Sequence, residues 1–531
     1  MLPEILATAQ VGFPLLSLII FLPAIAALVM VIMKDSFALK IALVISVLEL
    51  ALAAFAWSAF DPSTAAMQLA ENASFLGIGY NLGIDGVSAM FLPATALLTL
   101  FAVLCAANSV SSNVRGYLAA ILLSEAALMG AFSSIDLSLF WIFFVAEAIP
   151  SYFLIKGWGT SDKRNETARN YLMYMILASL AVGTGFILLA TNVSGGLSFN
   201  LATIAAESID PALQTLIFFV LCVGFAIKAP LFPLHSWLPK VLEHGPLVGM
   251  SVFLVGIKLG AYCFIRFVIP LLPEATAEWF WLVAAFGVIS LVYGALIAMV
   301  QTNLRRLMAF ASVSHMGVVT LGLFSLNVSG IEGGLLQAIN LGITGAGLFL
   351  IASFLSSRLG TPDIRNMGGL QASAPHMALG FLVIALAAVG MPGTSGFNGE
   401  HMILLGAFER HWLMAVCVGI GPILAAAYFL RYYQRAFLGN ASEASQEKIA
   451  DLDNRERIIV LALVGVVLWI GLYTTPFLST MRSSVEKITS QFHTSGATHA
   501  QSFIHDDVLG VEKILLATDL HGRTNSHGSQ K

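Results

Sequence analysis

Apolar residues run along this chain in long blocks closed by short polar breaks, from residue 12 to residue 476. A block of about 18 or more apolar residues with few charges can cross a hydrocarbon layer as an α-helix. On that rule the chain is predicted to hold about fourteen spans. They lie near 12–33, 39–59, 84–107, 116–134, 136–156, 171–192, 212–229, 246–268, 277–300, 306–325, 330–356, 376–408, 412–438 and 456–476.

Two spans carry breaks. In "GFAIKAPLFPLHSWLPK", residues 224–240, Pro230, Pro233 and Pro239 each lack a backbone donor and clash with the preceding turn. The helix must therefore bend or unwind after Lys228. In "GMPGTSGFNGEHMILLGAF", residues 390–408, Pro392 and four glycines precede Glu400. Opened backbone at membrane depth is tolerated only where protein or water satisfies its polar groups. Two such breaks, five spans apart and each beside an ionisable residue, predict two inverted five-helix repeats with a path between them. The expected organisation is spans one to three in residues 1–110, a first repeat in 111–270 and a second in 271–440. A cytoplasmic link and the last span fill 441–480, and a polar tail fills 481–531. In that tail "VLGVEKILLATDL" predicts a short amphipathic helix.

Composition places these spans in a bilayer. Of 531 residues, 58% are apolar and only 11% charged, and the mean hydropathy is +0.86, so a soluble fold would lack polar cover. The predicted fold class is an all-α polytopic membrane protein. The first apolar run is preceded by an acidic rather than a basic stretch and is long enough to span, so it is expected to remain as a helix. A net charge of −4 with no basic stripe excludes nucleic acid as a partner. Cys105, Cys222, Cys263 and Cys417 stand far apart inside apolar runs, which argues against disulfides and metal or iron–sulfur ligation. Basic residues such as Arg115, Lys163, Arg164, Arg305, Arg306 and Arg358 fall on alternate links, whereas Asp61, Glu71, Glu207, Asp210, Glu274, Glu278 and Glu332 fall on the opposite ones. By the positive-inside bias both termini are expected outside the cytoplasm.

What remains to explain is a set of titratable residues inside apolar surroundings. A lysine at the centre of a span costs about 2.5–3.5 kcal/mol on insertion scales and so needs a reason. Lys228 lies deep in its span just before the break, and Lys258, in "FLVGIKLGAY", lies mid-span. Lys228 can be a proton carrier, or it can snorkel to the surface; Lys258 sits too deep for easy snorkelling and reads as a proton carrier. His315 in "ASVSHMGVV", flanked by Ser312 and Ser314, suits proton transfer near neutral pH or a structural hydrogen bond. His235 lies in the first broken segment and could extend a relay. Glu400 can carry a proton or cap the half-helix that starts near Asn398. Glu125 and Glu147, on spans four and five, are the acids available to Lys228, each with a structural alternative. No P-loop, dinucleotide fingerprint, zinc-type H-E-x-x-H or G-x-S-x-G elbow is present, so chemistry on an organic substrate is unsupported. Proton movement through a membrane is the chemistry these residues permit.

Four segments carry a family resemblance. "GFAIKAPLFPLHSWLP", "FLVGIKLGAYCFIRF", "VQTNLRRLMAFASVSHMGVVTLGLFSLNVSGIEGGLLQAIN" and "GMPGTSGFNGEHMILLGAF" resemble signature segments of the antiporter-like M subunits of proton-pumping NADH-quinone oxidoreductase, respiratory complex I. The similarity runs from about residue 82 to residue 439 and extends to Mrp-type cation/proton antiporters. It implies fourteen helices with two inverted five-helix repeats. It also implies that Lys228 is the lysine of the broken seventh helix, Lys258 the central lysine of the eighth, His315 a connecting histidine and Glu400 the acid of the broken twelfth. No cofactor would bind this subunit. NADH, flavin, iron–sulfur clusters and quinone would belong to the complex, and the partners would be neighbouring antiporter-like subunits in a bacterial inner membrane. A subunit of a cation/proton antiporter or of an inorganic-carbon uptake complex would use the same helices.

The chain departs from the family at three points. A gapless alignment of "DLSLFWIFFVAEAIPSYFLIKGWG" puts Val145 at the family's fifth-helix glutamate, with Glu147 two residues on. Asn340-Leu341-Gly342 replaces "NHG", and Lys240 replaces the aspartate of "WLPD". Two residues turn a helix by about 200°, so Glu147 is expected to face away from Lys228. Glu125 is then the expected partner of Lys228. The charge pattern also predicts that a reporter fused at Lys163 reads as cytoplasmic and one fused at Lys531 does not. Both reporters on one side would overturn the span count or its orientation.

Overall fold

The computed structural model describes residues 11–492, apart from 76–77, 111, 248 and 440–448. Its apolar blocks form helices α1 (Leu15–Ile32), α2 (Asp35–Ser58), α3 (Phe91–Ser109), α4 (Val114–Ser133), α5 (Leu137–Trp158), α6 (Arg164–Thr191) and α7 (Pro211–Lys228). They continue as α8 (Met250–Cys263), α9 (Pro273–Val300), α10 (Leu304–Leu323), α11 (Val328–Leu359), α12 (Pro375–Val389), α13 (Ser395–Arg410), α14 (Trp412–Ala436), α15 (Asn454–Leu472) and α16 (Thr475–Phe492). Among the described residues eleven helices are long and apolar enough to cross a membrane, and α15 with α16, bent by 62°, make a twelfth if they count as one span. α12 and the apolar part of α3 are shorter.

Helix ends follow local chemistry. Asp136, Asp210 and Asn303 accept hydrogen bonds from the first free N–H groups of α5, α7 and α10, and Asp453 with Glu456 forms a capping box at α15. α4, α8, α10 and α11 are enclosed by protein, whereas α1, α6 and α14 turn apolar faces such as Leu28, Leu180 and Ile423 outward. In water such faces would be a liability, but against lipid they are solvated. α8 packs against α3, α7 and α11, so the enclosed helices form one continuous core.

The all-helical expectation needs correction at residues 68–84. There β1 (Gln68–Phe75) and β2 (Ile78–Ile84) pair as an antiparallel hairpin, and α3 starts only at Phe91 rather than near residue 84. This segment is too polar to span, and its backbone groups are satisfied by each other. Glu71 on β1 reaches the N-terminal turn of α1, where its carboxylate accepts from Leu16 N (2.7 Å) and Ser17 N (3.1 Å). A negative charge is favoured at that helix end. Two further corrections concern boundaries. Glu332 belongs to α11 and is buried, not a link residue. The last helix pair runs to Phe492, past residue 480 where the tail was expected to begin. The predicted amphipathic helix in "VLGVEKILLATDL" lies outside the described residues.

One buried ion pair ties the hairpin end to the core. α8 continues through a π-helical turn, Phe264–Val268, which carries Arg266. Its guanidinium makes a two-pronged contact with Asp85, at 2.8 and 2.5 Å, and its Nε donates to the Tyr262 hydroxyl at 3.0 Å. Burial opposes ionisation of Asp85, but the facing guanidinium outweighs it and holds the carboxyl below its ordinary range. A carboxyl held down in the fold adds stability above its unfolded value and loses it as pH falls through the folded one. Arg266→Gln should therefore lower stability at pH 7 by about 3–5 kcal/mol, and adding Asp85→Asn should recover part of it. Thermal melts of the detergent-solubilised protein should show the deficit shrinking below about pH 4, where the unfolded carboxyl takes up its proton. An equal deficit at both pH values would refute the pairing as its source.

Candidate functional site

The first break places a charge inside the bundle. α7 ends at Lys228, and the chain turns through Pro230 and Pro233, with a cis bond at Phe232–Pro233, before a short helix Trp237–His244. α8 crosses this break at close range: a Cβ added at Gly260 would stand 2.5 Å from Ala229 N, so only glycine allows the approach. The Lys228 ammonium is 3% exposed and forms an ion pair with Glu147 of α5, which is 1% exposed. Ser151, one turn on, donates to Glu147 Oε1 at 3.0 Å, and Met175 Sδ lies 3.9 Å from Lys228 Nζ.

This contact overturns the expected Glu125–Lys228 pair. Glu147 faces the lysine, so the gapless alignment that favoured Val145 does not describe how α5 is rotated in the bundle. Glu125 is fully buried on α4, but its carboxylate makes no hydrogen bond among the described residues. Its electrostatic neighbours are Glu49 of α2 and the Thr99 hydroxyl of α3. Glu49, an acid inside the second apolar block, was a legible signal that the sequence reading passed over.

A second group of polar side chains meets between α8, α10 and α11. Lys258 is buried, with its Nζ 3.3 Å from Met316 Sδ. It shares a cavity of about 20 Å³ with Ser312, His315, Leu341 and Thr344. That volume holds about one water, and the polar lining could bind it. Leu341, where the family pattern has histidine, gives this cavity an apolar wall. His315 is held by the Tyr428 hydroxyl of α14, 3.1 Å from its Nε2. Nothing in the sequence marked Tyr428.

The second break carries Glu400. α12 ends at Val389, and Gly390 and Gly393 adopt φ of +83° and +86° before α13 begins. Such angles favour glycine, and at Gly390 a Cβ would also clash with Glu400 Oε2. Glu400 is therefore packed against the break. Its Oε1 accepts from Gln337 Nε2 at 3.1 Å, while Oε2 has no partner among the described residues. It sits beyond the first turn of α13, so the capping alternative does not describe it. Asn340 donates to Ser395 O at 2.6 Å and ties α11 to the restarted helix.

His235 stands apart from these groups. It lines a cavity of about 430 Å³ with Lys163, Glu166, Lys240, His244 and Arg306. Its Nδ1 lacks a partner among the described residues, and its ring stacks on Phe232. The structure thus gathers Lys228 with Glu147, and Lys258 with His315, and leaves Glu125 outside both pairs. Among the described residues no group of three side chains could hold a metal ion. These side chains can take up and release protons.

Comparison with known proteins follows the same lines. The family described as NADH:quinone oxidoreductase/Mrp antiporter, transmembrane, matches residues 134–424. NADH-quinone oxidoreductase subunit M of Rickettsia typhi is 32% identical over 495 residues, covering 90% of this chain and 99% of the relative. A chain of respiratory complex I from Thermus thermophilus superposes with a TM-score of 0.83 at 29% identity, covering 90% of this chain and 99% of that one. A chain of the Mrp complex from Dietzia sp. DQ12-45-1b shares the fold, with a TM-score of 0.80 at 21% identity over 89% of this chain and 97% of that one.

The observed pairing sets an order of mutational cost. Glu147→Gln leaves a buried ammonium without its counter-charge, which costs about 3–5 kcal/mol. Glu125→Gln removes no ion pair. Thermal melts of the solubilised variants should rank Glu147→Gln as the more damaging, and the reverse order would restore Glu125 as the partner.

Proposed function

The chain belongs to the NADH:quinone oxidoreductase/Mrp antiporter family of membrane subunits, and from that premise we infer that it is the M-type, proton-translocating subunit of a respiratory complex. The observation that carries this reading is the buried Lys228–Glu147 ion pair at the broken end of α7. It works alongside other membrane subunits, and the NADH, quinone and redox centres of such a complex sit on those partners.

We propose fourteen spans. The eleven long helices and the α15–α16 pair give twelve, α3 adds one, and α12 with α13 form a single broken one. α4 to α8 and α9 to α14 then make two inverted repeats, with both termini on the non-cytoplasmic side of a bacterial inner membrane. In this frame the cavity beside His235, ringed by Lys163, Lys240 and Arg306, is the cytoplasmic inlet.

Proton transfer runs from pair to pair. Glu147 holds the Lys228 ammonium while the two are in contact, and parting them frees the proton to move on. Unwound backbone after Lys228 lets water reach the lysine, which is why the span keeps both a charge and a break. Lys258 receives the proton, and the water-sized cavity links it to His315. Glu400, packed against the second break, delivers it toward the opposite side. A complex that drives redox chemistry at a distance would act here by opening and closing the Lys228–Glu147 contact.

The Mrp likeness in fold favours a cation/proton antiporter subunit as the second reading, and the subunits that co-purify with the chain separate the two. In the first reading, Lys228→Ala assembles, yet NADH-driven proton uptake by the reconstituted complex falls by about 10²-fold. Wild-type pumping by the assembled variant would make Lys228 a structural anchor.

A further inference from the structure

The cavity beside His235 carries charge that its own side chains do not cancel. At about 430 Å³ it is far roomier than the cavity of about 20 Å³ at Lys258, so it can take a group much larger than a water. Lys163, Lys240 and Arg306 line it together with Glu166 and Glu243. Glu243 is already engaged: its carboxylate stands 3.7 Å from the Arg306 guanidinium and 3.9 Å from His244 Nε2, and it accepts from Asn303 Nδ2 at 3.4 Å. Lys163 and Lys240 have no ion-pair partner among the described residues. Glu166 is the remaining acid, so one positive charge is left over. Lys240 is the reason. An aspartate there, as in the family's "WLPD", would turn that surplus negative.

Unpaired lysines at a surface are ordinary, because water solvates them. Two further features set this cavity apart. The His235 side chain is 5% exposed and lines the cavity, yet its Nδ1 has no hydrogen-bond partner among the described residues. A buried polar atom left unmet calls for a partner, and the cavity is where one can enter. The other feature is the start of α6. α5, α7, α10 and α15 begin at Asp or Asn side chains that accept from their first N–H groups, whereas α6 begins at Lys163, which offers no acceptor. The partial positive charge of that helix end adds to the two ammonium groups and favours an anion.

We propose that this cavity is a binding site for a phosphate-bearing anion, and that its usual occupant is the phosphodiester headgroup of an anionic membrane lipid. A phosphodiester carries one negative charge at neutral pH, which matches the one positive charge left over. Lys163 and Lys240 give it charge-assisted hydrogen bonds, the first turn of α6 gives it backbone donors, and His235 Nδ1 adds another when it carries the proton. The far wall is aromatic: the Tyr293 ring lies 5.1 Å from His235 and 5.2 Å from Phe232. Ile289 and Leu296, one turn to either side of Tyr293 on α9, are exposed. A charged cavity that runs into an outward apolar face suits a headgroup with chains attached. Free phosphate shares the chemistry of the headgroup but leaves that wall unused. The placement of this site at the cytoplasmic inlet rests on the proton-translocating reading above, whereas the binding does not.

The test measures binding to the full chain in detergent, by native mass spectrometry, with phosphatidylglycerol, zwitterionic phosphatidylcholine and inorganic phosphate as probes. Lys163 and Lys240 are both exposed, so their substitution spares the core, and thermal melts check the fold. Phosphatidylglycerol should bind the wild-type chain more tightly than phosphatidylcholine does. Its affinity should fall about fivefold in Lys163→Gln and about thirtyfold in the charge-reversed Lys240→Asp, and stay at the wild-type level in Lys240→Arg. If inorganic phosphate follows that order and phosphatidylglycerol does not, the anion site stands with a free anion as its occupant. Equal affinity of phosphatidylglycerol and inorganic phosphate for the wild-type chain and for Lys240→Asp, or wild-type preference for neither over phosphatidylcholine, overturns the site. The readout needs no turnover, so it separates from the functional reading. Lys228→Ala should bind phosphatidylglycerol as the wild type does, and normal pumping by that variant would remove the proton-translocating reading while leaving the anion site in place.

Discussion

An ionised side chain inside apolar surroundings must be met by a partner, and in this chain that rule is applied at Lys228. The ammonium at the end of α7 is enclosed by protein and, among the described carboxylates, is answered by Glu147, with Met175 and the Phe144 ring beside it. The cost of a buried charge is offset only while both partners stay in place. A contact of that kind is stable when closed and expensive when opened, which is what a coupling element needs.

The two breaks and the enclosed helices serve that contact. Pro230 stops α7 so that Lys228 becomes a helix-end residue without reaching the surface, and Gly260 lets α8 lie against the backbone of Ala229. At the second break Gly390 turns the chain in a region few other residues adopt, and the Glu400 carboxyl occupies the space its missing Cβ leaves. α8, α10 and α11 then bring Lys258, His315 and the Gln337–Asn340 pair into one protein-lined interior. Arg266 and Asp85 close one end of α8 with a second buried ion pair, and each partner is also held by neighbouring groups.

Much of the candidate site was readable as a list of residues, but its pairings were not. Lys228, Lys258, His315 and Glu400 each announced themselves as a titratable group in an apolar block, since membrane insertion penalises such groups wherever the block lies. Glu147 was assigned to the wrong face. Val145 and Glu147 do face nearly opposite ways, but a gapless alignment chose position 145 as the one that meets Lys228, and which face of α5 looks inward is set by its packing against α4 and α6. The hairpin at 68–84 was missed for a related reason. A polar stretch between spans shows that it cannot cross the membrane, but its strand pairing is made with itself and with the end of α1.

Sequence alone determined the solvent of this protein, the helical character of its spans, the positions of both breaks and the titratable residues that stand out inside apolar blocks. Each is a local property of composition or of proline and glycine geometry, legible without knowing what lies opposite. Tertiary structure decided which acid meets Lys228, that Lys258 and His315 share a cavity, that Gln337 holds Glu400 and that Tyr428 touches His315. These are contacts across 81, 57, 63 and 113 positions of chain, and they depend on helix rotation and approach that only the assembled bundle sets.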